Sequence, residues 1–459
     1  MLRNQQIRSA VVTSAAMLVA FLPAWLLETL AGLTLDVVVL TVVLALSLGR
    51  ALRPGRGPGQ GAVPLVLAVV AVCAGGVDRL LQDHPNTGDA VFTLALGLSV
   101  WVRRFGPQAT RLGTLIALPF IGLLVAPMPL PPGAAQPLWG AVAAVIAYAS
   151  VVLVRAVADR TGFTTPAPSV EPARPLPQPR EAARGRRMAV STRMALQMTA
   201  AVGASFVLGR WAYPDHWQWL VLTAFIVCSG NRGRGDVFHK AGLRVVGAGL
   251  GTLAATPLAG LFGPGDQRSI VVILAVLAVA NGLRAVNYAY WAGSVTAALS
   301  LLYGYFGQTG QALLVQRLAA IVLGAALAVA ASWLLLPVRS GQVLRARAAA
   351  LLAVLGDLAE AARRRPELLR DHQARFRDAL HRVEEVARPP QLHQLLMRRR
   401  RPVAHPADTL EPARRCAPLV ARLGDTADGA ADAEVLAELN SARAELGRIL
   451  RATRPAAGS

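Results

Sequence analysis

Twelve hydrophobic runs, each close to the length of a membrane-spanning helix, are separated by short polar segments. They lie at 11–27, 33–49, 62–77, 88–102, 112–128 and 138–156, and then at 194–211, 216–229, 243–262, 269–286, 288–306 and 318–336. Two of them, 88–102 and 216–229, are short for a hydrocarbon core of about 30 Å, so eleven crossings is the alternative count. The pattern predicts an all-α, polytopic membrane protein with two six-helix halves, at 1–160 and 191–340.

The polar pattern changes after residue 340. Residues 341–459 are charged, and their apolar positions recur every 3.6 residues, as in amphipathic helices. Four helices are predicted there, at 341–364, 367–387, 408–424 and 430–452, with prolines 366, 389, 402 and 406 between them. We expect these helices to form a cytoplasmic helical domain.

Arginine marks the cytoplasmic side of the membrane. The segment 161–190 between the halves is rich in Pro and Arg, which predicts an extended linker. Arginines such as Arg50, Arg103 and Arg284 concentrate in alternate loops, on the same side as the N-terminus. The positive-inside rule then places both termini and the linker in the cytoplasm.

Composition agrees with an inner-membrane protein. The chain of 459 residues is 54% hydrophobic and 16% charged, with a net charge of +21, and its mean hydropathy is +0.45. A tethered basic chain meets anionic lipid headgroups first, so the arginine run 398–401 indicates lipid rather than nucleic acid as a partner. The three cysteines are far apart, and no nucleophile elbow, phosphate-binding loop or metal motif occurs. We therefore predict no enzyme activity, no cofactor and no metal.

The stretch RVVGAGLGTLAA, residues 244–255, is compatible with two kinds of structure. Its glycines 247, 249 and 251 resemble a dinucleotide-binding turn. That turn needs a preceding buried strand, whereas the residues GDVFHKAGL before it predict a polar loop, and Thr252 replaces the last small residue of the fingerprint. A membrane helix that packs tightly through Gly247 and Gly251 is the preferred interpretation.

An internal similarity appears at an offset of 73 residues. Thr223 matches Thr296, Arg244 matches Arg317, and Gly251 matches Gly324. Each copy holds three spans, so the two copies would insert with opposite orientation, as the inverted repeats of transporters do. In a chain rich in Ala and Leu, chance is the alternative.

The sequence YPDHWQWLVLTAFIV followed by GRGDVFHKAGLRVVGAGLGTLAA resembles the membrane module of the fusaric acid resistance and aromatic acid exporter family. The resemblance is clear over 188–340, and over 1–160 only the spans match. It implies efflux of aromatic carboxylic acids, with the plant malate channels as more distant relatives. Members often carry cytoplasmic helical domains after their membrane halves. Here the domain between the halves is reduced to the linker, and the family supplies no invariant catalytic set.

Charged and polar residues in or beside the spans are the candidates for substrate contact. Arg244 begins span nine at the cytoplasmic mouth, where anchoring is the alternative, and Arg317 begins span twelve on the outer side, where snorkelling to headgroups is the alternative. The other candidate substrate contacts are Trp217, Trp291, Thr223, Thr296 and Asn281. Interfacial anchoring explains many such tryptophans, and a helix partner would satisfy Asn281. The candidate proton relays are Asp215, His216, Asp236 and His239, which solvated loop ends would equally explain.

These residues favour an inner-membrane efflux transporter of small organic anions, driven by the proton gradient. A passive anion channel is the alternative, and a membrane anchor or sensor that acts through 341–459 is a rival of another class. The expected partners are the anionic lipid bilayer and the organic anion, and self-association into a homo-oligomer stays open.

Overall fold

The structure, a computed structural model, describes residues 2–31, 36–51, 63–125, 136–163, 188–231, 233–259, 261–284, 286–308, 310–338, 340–364, 368–396, 406–423 and 429–453. Within these ranges the chain forms sixteen α-helices and no strand. Most of the predicted linker, residues 164–187, and the arginine run 398–401 lie outside the described residues.

Twelve helices occupy the places of the twelve hydrophobic runs. They are α1 (Leu2–Ala31), α2 (Asp36–Ala51), α3 (Val63–Asp83), α4 (Pro85–Trp101), α5 (Pro107–Val125), α6 (Gln136–Arg160), α7 (Val190–Ala212), α8 (Gln218–Cys228), α9 (Arg234–Ala259), α10 (Gln267–Leu283), α11 (Tyr288–Tyr305) and α12 (Gln311–Leu334). The four that follow are α13 (Ser340–Arg364), α14 (Leu369–Leu396), α15 (Leu410–Arg422) and α16 (Gly429–Ala452).

Three predicted boundaries are wrong. Helix α9 begins at Arg234, so the residues before the glycine stretch form helix rather than the predicted polar loop. Helix α12 begins at Gln311, directly after Gly310, whose φ of 146° suits glycine. Hydropathy detects only the apolar part of a helix, so the polar first turns of α9 were missed, whereas in α12 the run was begun after Arg317 although residues 312–315 before it are apolar. Helix α14 continues through Pro389 to Leu396, because a proline removes one hydrogen bond without necessarily ending a helix.

The protein is a polytopic helical membrane protein. Five segments of the described chain are long and apolar enough to cross a bilayer, namely Ile7–Ala31, Val63–Asp83, Gln108–Val125, Leu138–Arg160 and Ala312–Leu334. Large apolar side chains also point outward, with Val207 76% and Leu253 72% exposed. Such a surface suits lipid rather than water. The full count of twelve crossings stays a prediction.

The two six-helix halves share several helix contacts. Helix α1 packs on α2 and α6 as α7 packs on α8 and α12, and α4 packs on α5 as α10 packs on α11. Between the halves, α1 packs on α10 and α7 packs on α4. Helix α1 corresponds to α7, and α10 corresponds to α4, so each of these two contacts is the counterpart of the other. This is the arrangement of two units related by an approximate two-fold axis.

The halves share one hydrophobic core. Phe92 of α4, Phe120 of α5 and Phe206 of α7 are buried together, and Phe92 meets each of the other two rings edge to face. An ion pair reinforces this junction, because Arg210 of α7 donates two hydrogen bonds of 2.7 Å to the carboxylate of Asp89 on α4. Helices α1–α12, with α9 counted from Lys240 onward, form one compact unit.

Helices α13–α16 belong to a second compact unit, together with the first turns of α9 up to His239. Within the four helices, α13 packs on α14 and α16, and α15 packs on the same two neighbours. Leu351, Phe376, Cys416 and Leu446 lie in one buried core. The four amphipathic helices thus pack into a helical bundle.

Candidate anion-binding site

A small cavity lies among helices α8, α9, α11 and α12, where Leu124 and Val125 of α5 complete the wall. Its volume is about 10 Å³, which is about the space that one water molecule requires. Its polar lining consists of Trp219, Thr223, Arg244, Tyr303 and Arg317. Three predicted site residues, Arg244, Arg317 and Thr223, therefore meet at one place inside the first unit.

Arg317 is buried at the wall of this cavity. It is the seventh residue of α12, about 9 Å from the start of the helix, and is only 3% exposed. Its Nη1 donates to Ser300 Oγ at 3.2 Å, and its guanidinium carbon lies 5.6 Å from the Tyr303 ring centre. The alternative of a snorkelling surface arginine at the start of the span is therefore wrong.

Two aromatic side chains hold the Arg317 side of the cavity in place. Trp219 Nε1 donates to Tyr303 Oη at 2.9 Å, and the two rings meet edge to face at 5.6 Å. The guanidinium of Arg317 lies 5.9 Å from the Trp219 ring centre. Arginine on an aromatic face gains a cation–π attraction, which holds the cation without neutralising its charge.

Arg244 is buried as deeply as Arg317. It is the eleventh residue of α9, about 15 Å along the helix, and is 3% exposed. Its Nη1 donates to the Ala292 carbonyl at 3.4 Å, and the same oxygen accepts a bond from Thr296 Oγ1 at 2.9 Å. Arg244 therefore does not begin its helix, and the alternative of a surface anchor is wrong.

The positive charge at the cavity has no counterion in the described part of the chain. No ion pair joins either arginine to a described carboxylate, and the charges of Arg244 and Arg317 lie close enough to repel each other. Arg244 Nε and Thr223 Oγ1 are both buried without a hydrogen-bond partner among the described residues. Unsatisfied buried donors cost free energy, so an acceptor that entered this cavity would relieve both deficits.

Glycines bring the arginine-bearing helices close to their neighbours. A Cβ on Gly251 of α9 would lie 2.1 Å from the Gly293 carbonyl oxygen on α11, and one on Gly324 of α12 would lie 2.6 Å from the Leu220 oxygen on α8. Only helices without side chains at these points approach so closely. The predicted tight packing of Gly247 and Gly251 is confirmed, since a Cβ on Gly247 would lie 2.4 Å from the Ala289 oxygen.

These contacts are reciprocal under the offset of 73 residues. Gly251 faces Gly293, and Gly324, 73 positions after Gly251, faces Leu220, 73 positions before Gly293. The arginines follow the same rule: Arg244 donates to the Ala292 carbonyl, and Arg317 lies over Trp219, 73 positions before Ala292.

The four other candidate substrate contacts lie outside the cavity lining. Trp217 packs against Phe206, with ring centres 5.1 Å apart. Trp291 lies under the guanidinium of Arg50. Asn281 donates to the Ala10 carbonyl of α1 at 2.8 Å, so a neighbouring helix satisfies its amide as the alternative expects. Thr296 is also absent from the lining, although it shares an acceptor with Arg244.

The candidate proton relays fall into separate groups. Asp236 and His239 belong to the second unit. His216, in the turn before α8, stacks on Trp219 with ring centres 4.2 Å apart. Partial burial lowers the pKa of His216, and the charge of Asp215 and a hydrogen bond to Gln308 oppose that shift. Of the four, only His216 contacts an aromatic side chain of the cavity.

Sequence reasoning missed Tyr303, Ser300 and the two α5 residues of the wall. One sequence signal could have identified Tyr303 and Ser300: each has a hydroxyl group inside an apolar run, where that group needs a hydrogen-bond partner. Leu124 and Val125 belong to the first half, and no sequence pattern links them to residues of the second.

Residues 200–331 match the family described as fusaric acid resistance protein-like. The chain shows no match to a curated protein or to a solved structure. The matched region contains both arginines, Thr223, Trp219 and Tyr303, and agrees with the resemblance seen over 188–340. The chain therefore carries a fusaric acid resistance protein-like domain over residues 200–331.

Proposed function

We propose that the protein exports small organic anions, including aromatic carboxylates, across the inner membrane, and that Arg244 and Arg317 bind the carboxylate. The observation that carries the proposal is a pair of buried guanidiniums that share one cavity without a carboxylate partner in the described chain. An anionic ligand supplies the missing counterion, and the planar fork of arginine matches a carboxylate with two hydrogen bonds.

The reciprocal contacts support a pair of inverted three-helix repeats, 73 residues apart. Each copy holds an odd number of helices, so the second copy inserts upside down. Arg244 then enters the pathway from the cytoplasmic end and Arg317 from the outer end. A site between inverted repeats can open to either side in turn, which is the basis of alternating access.

The size of the cavity favours a transporter over an open pore. Sites for small molecules usually hold roughly 300–1,000 Å³, whereas this cavity holds about 10 Å³. The helices must therefore separate before an anion enters, as expected of a closed state in a transport cycle. His216 on Trp219 is the group through which we expect protonation to act on the pathway.

The orientation in the proposal has both termini in the cytoplasm. It is supported by the arginines in alternate loops.

Flux in proteoliposomes tests the proposal. Vesicles loaded with benzoate and given a pH gradient should export it against its own concentration gradient. Dissipative flux alone would indicate a passive channel, and the absence of flux would indicate an anchor or sensor. Either result overturns the proposal.

Arginine variants connect the flux to the site. Arg317→Lys keeps the charge without the fork, and Arg317→Gln loses both, so flux should fall in the order Arg, Lys, Gln. Hydrogen bonds to charged groups contribute about 1.5–3 kcal/mol, so Gln should weaken apparent affinity about tenfold or more. The control is Arg268→Gln, which removes an exposed arginine at the start of α10. Normal export by well-folded Arg317→Gln would show that Arg317 does not bind the substrate.

A further inference from the structure

A second arginine cluster lies at the N-terminal end of α11. Arg50 is in the last turn of α2, Arg284 follows the end of α10, and Trp291 is in the first turns of α11. The guanidinium carbon of Arg50 lies 3.9 Å from the Trp291 ring centre, and that of Arg284 lies 5.6 Å from the same ring. One indole therefore carries two guanidiniums from two different helices.

Asn281 holds Arg50 in position. Arg50 Nε donates to Asn281 Oδ1 at 3.0 Å, and the Asn281 amide donates to the Ala10 carbonyl at 2.8 Å and to Ser14 Oγ at 3.2 Å. One edge of the guanidinium is thus fixed to α1 and α10. The Nη2 atom of Arg50 is buried and has no hydrogen-bond partner within the described ranges. The cluster therefore contains one buried donor without a partner among the described residues.

The two arginines of this cluster also lack a counterion in the described chain, and their charges repel each other. Positive-inside anchoring explains why arginines lie at this end, but it does not explain why two converge on one side chain. Arg210 shows the contrast, because that arginine of the same fold is paired with Asp89 through two bonds of 2.7 Å. Arg210 is thus paired with a carboxylate, whereas neither Arg50 nor Arg284 forms an ion pair with a carboxylate of the described chain.

A row of cations connects the cluster to the central cavity. Tyr288 lies within electrostatic range of both Arg284 and Arg244, and Lys240 Nζ lies 5.7 Å from its ring centre. Further along α11, Arg244 reaches Ala292 and Arg317 reaches Ser300. Positions 288, 292 and 300 fall within one stripe of a helix with 3.6 residues per turn. An anion could therefore pass from one cation to the next along a single helix face.

We infer that Arg50, Arg284 and Trp291 form a second anion-binding site, which captures a carboxylate before it reaches Arg244. The order of binding rests on the proposed transport function, whereas the binding itself does not. The site is accessible, since Arg284 is exposed and Arg50 is half-buried. Two guanidiniums that lie over one indole without an ion-paired carboxylate in the described chain suit a compact oxyanion, and the phosphate of an anionic lipid shares this chemistry with a free carboxylate.

Trp291 provides the test. Purified protein in neutral detergent is titrated with 4-nitrobenzoate, and the quenching of Trp291 is obtained as the difference from Trp291→Phe. Saturable quenching is expected, with an apparent affinity at least tenfold weaker in Arg50→Gln and Arg284→Gln. Arg317→Gln and Arg268→Gln should retain it. Loss of quenching in Arg317→Gln equal to that in Arg284→Gln would mean one central site and would overturn the inference, as would unchanged affinity in folded Arg284→Gln.

Nanodiscs distinguish the two sources of the oxyanion. Phosphatidylcholine discs should leave the nitrobenzoate affinity unchanged. If phosphatidylglycerol discs lower it tenfold or more in wild type but not in Arg284→Gln, a lipid phosphate binds at the same site. If both disc types abolish quenching alike in all variants, the cluster is closed in a bilayer and the inference fails. Quenching that persists in a protein without benzoate flux would refute the transport function and leave this site intact.

Discussion

The glycine contact between α9 and α11 allows a quantitative test of the fold around Arg244. A Cβ added to Gly251 would stand 2.1 Å from the Gly293 oxygen, whereas ordinary contacts of a Cβ begin at 3.4 Å. In Gly251→Ala the two helix backbones must therefore separate by about 1.3 Å, the difference between these distances. Overpacking of this kind costs about 1–3 kcal/mol. Because Arg244 lies in the same helix as Gly251, its hydrogen bond to the Ala292 carbonyl should weaken too.

Gly249→Ala is the matched control for this change. It makes the same substitution two residues away in the same helix, where an added Cβ meets no atom within 4 Å. Alanine favours a helix over glycine by up to about 1 kcal/mol, so this variant should be as stable as wild type or slightly more stable. Thermal unfolding in detergent, with the yield of monodisperse protein, measures both. Equal midpoints for Gly251→Ala and Gly249→Ala would refute the close contact between α9 and α11.

Three further predictions concern single side chains. Thr223→Val removes an unpaired buried hydroxyl, so thermal stability should hold or rise while the apparent affinity for benzoate falls; a loss of stability would reveal a partner for that hydroxyl. Asp89→Asn should cost about 1.5–3 kcal/mol, and adding Arg210→Gln should cost little more, whereas additive losses would mean that the pair is uncoupled. Because the pKa of His216 is lowered, its contribution to the free energy of unfolding is present above pH 6.5 and is lost as the pH falls. The thermal midpoint should therefore drop less on acidification in His216→Gln than in wild type.

Each of the twelve hydrophobic runs coincides with a helix, but the pattern did not give the ends of all of these helices. Burial in lipid selects apolar residues, so runs such as 288–306 coincide closely with Tyr288–Tyr305. Helix α9 extends nine residues before its run because backbone hydrogen bonds continue where the side chains are polar. Arg244 and Arg317 consequently lie well inside their helices rather than at the ends, which the sequence alone could not show.

The site depended on contacts between residues far apart in the chain. The offset of 73 residues singled out Arg244, Arg317 and Thr223, which line one cavity in the structure. It could not identify Tyr303 or Leu124, which have no counterpart in that pattern. Arg50 and Arg284 have the ordinary sequence signature of positive-inside arginines, and their shared contact with Trp291 is visible only in the folded structure.

The binding of a carboxylate between Arg244 and Arg317 can be observed by locating a heavy atom on the ligand. Crystals grown with 4-bromobenzoate, measured at the bromine absorption edge, should show an anomalous peak in a widened cavity beside Thr223. The carboxylate oxygens should lie about 2.7–3.2 Å from donors of both arginines. The peak beside Thr223 should disappear in Arg317→Gln. Bromine peaks confined to other places, with both arginines around an unchanged cavity, would contradict the assignment of this pair as the substrate site.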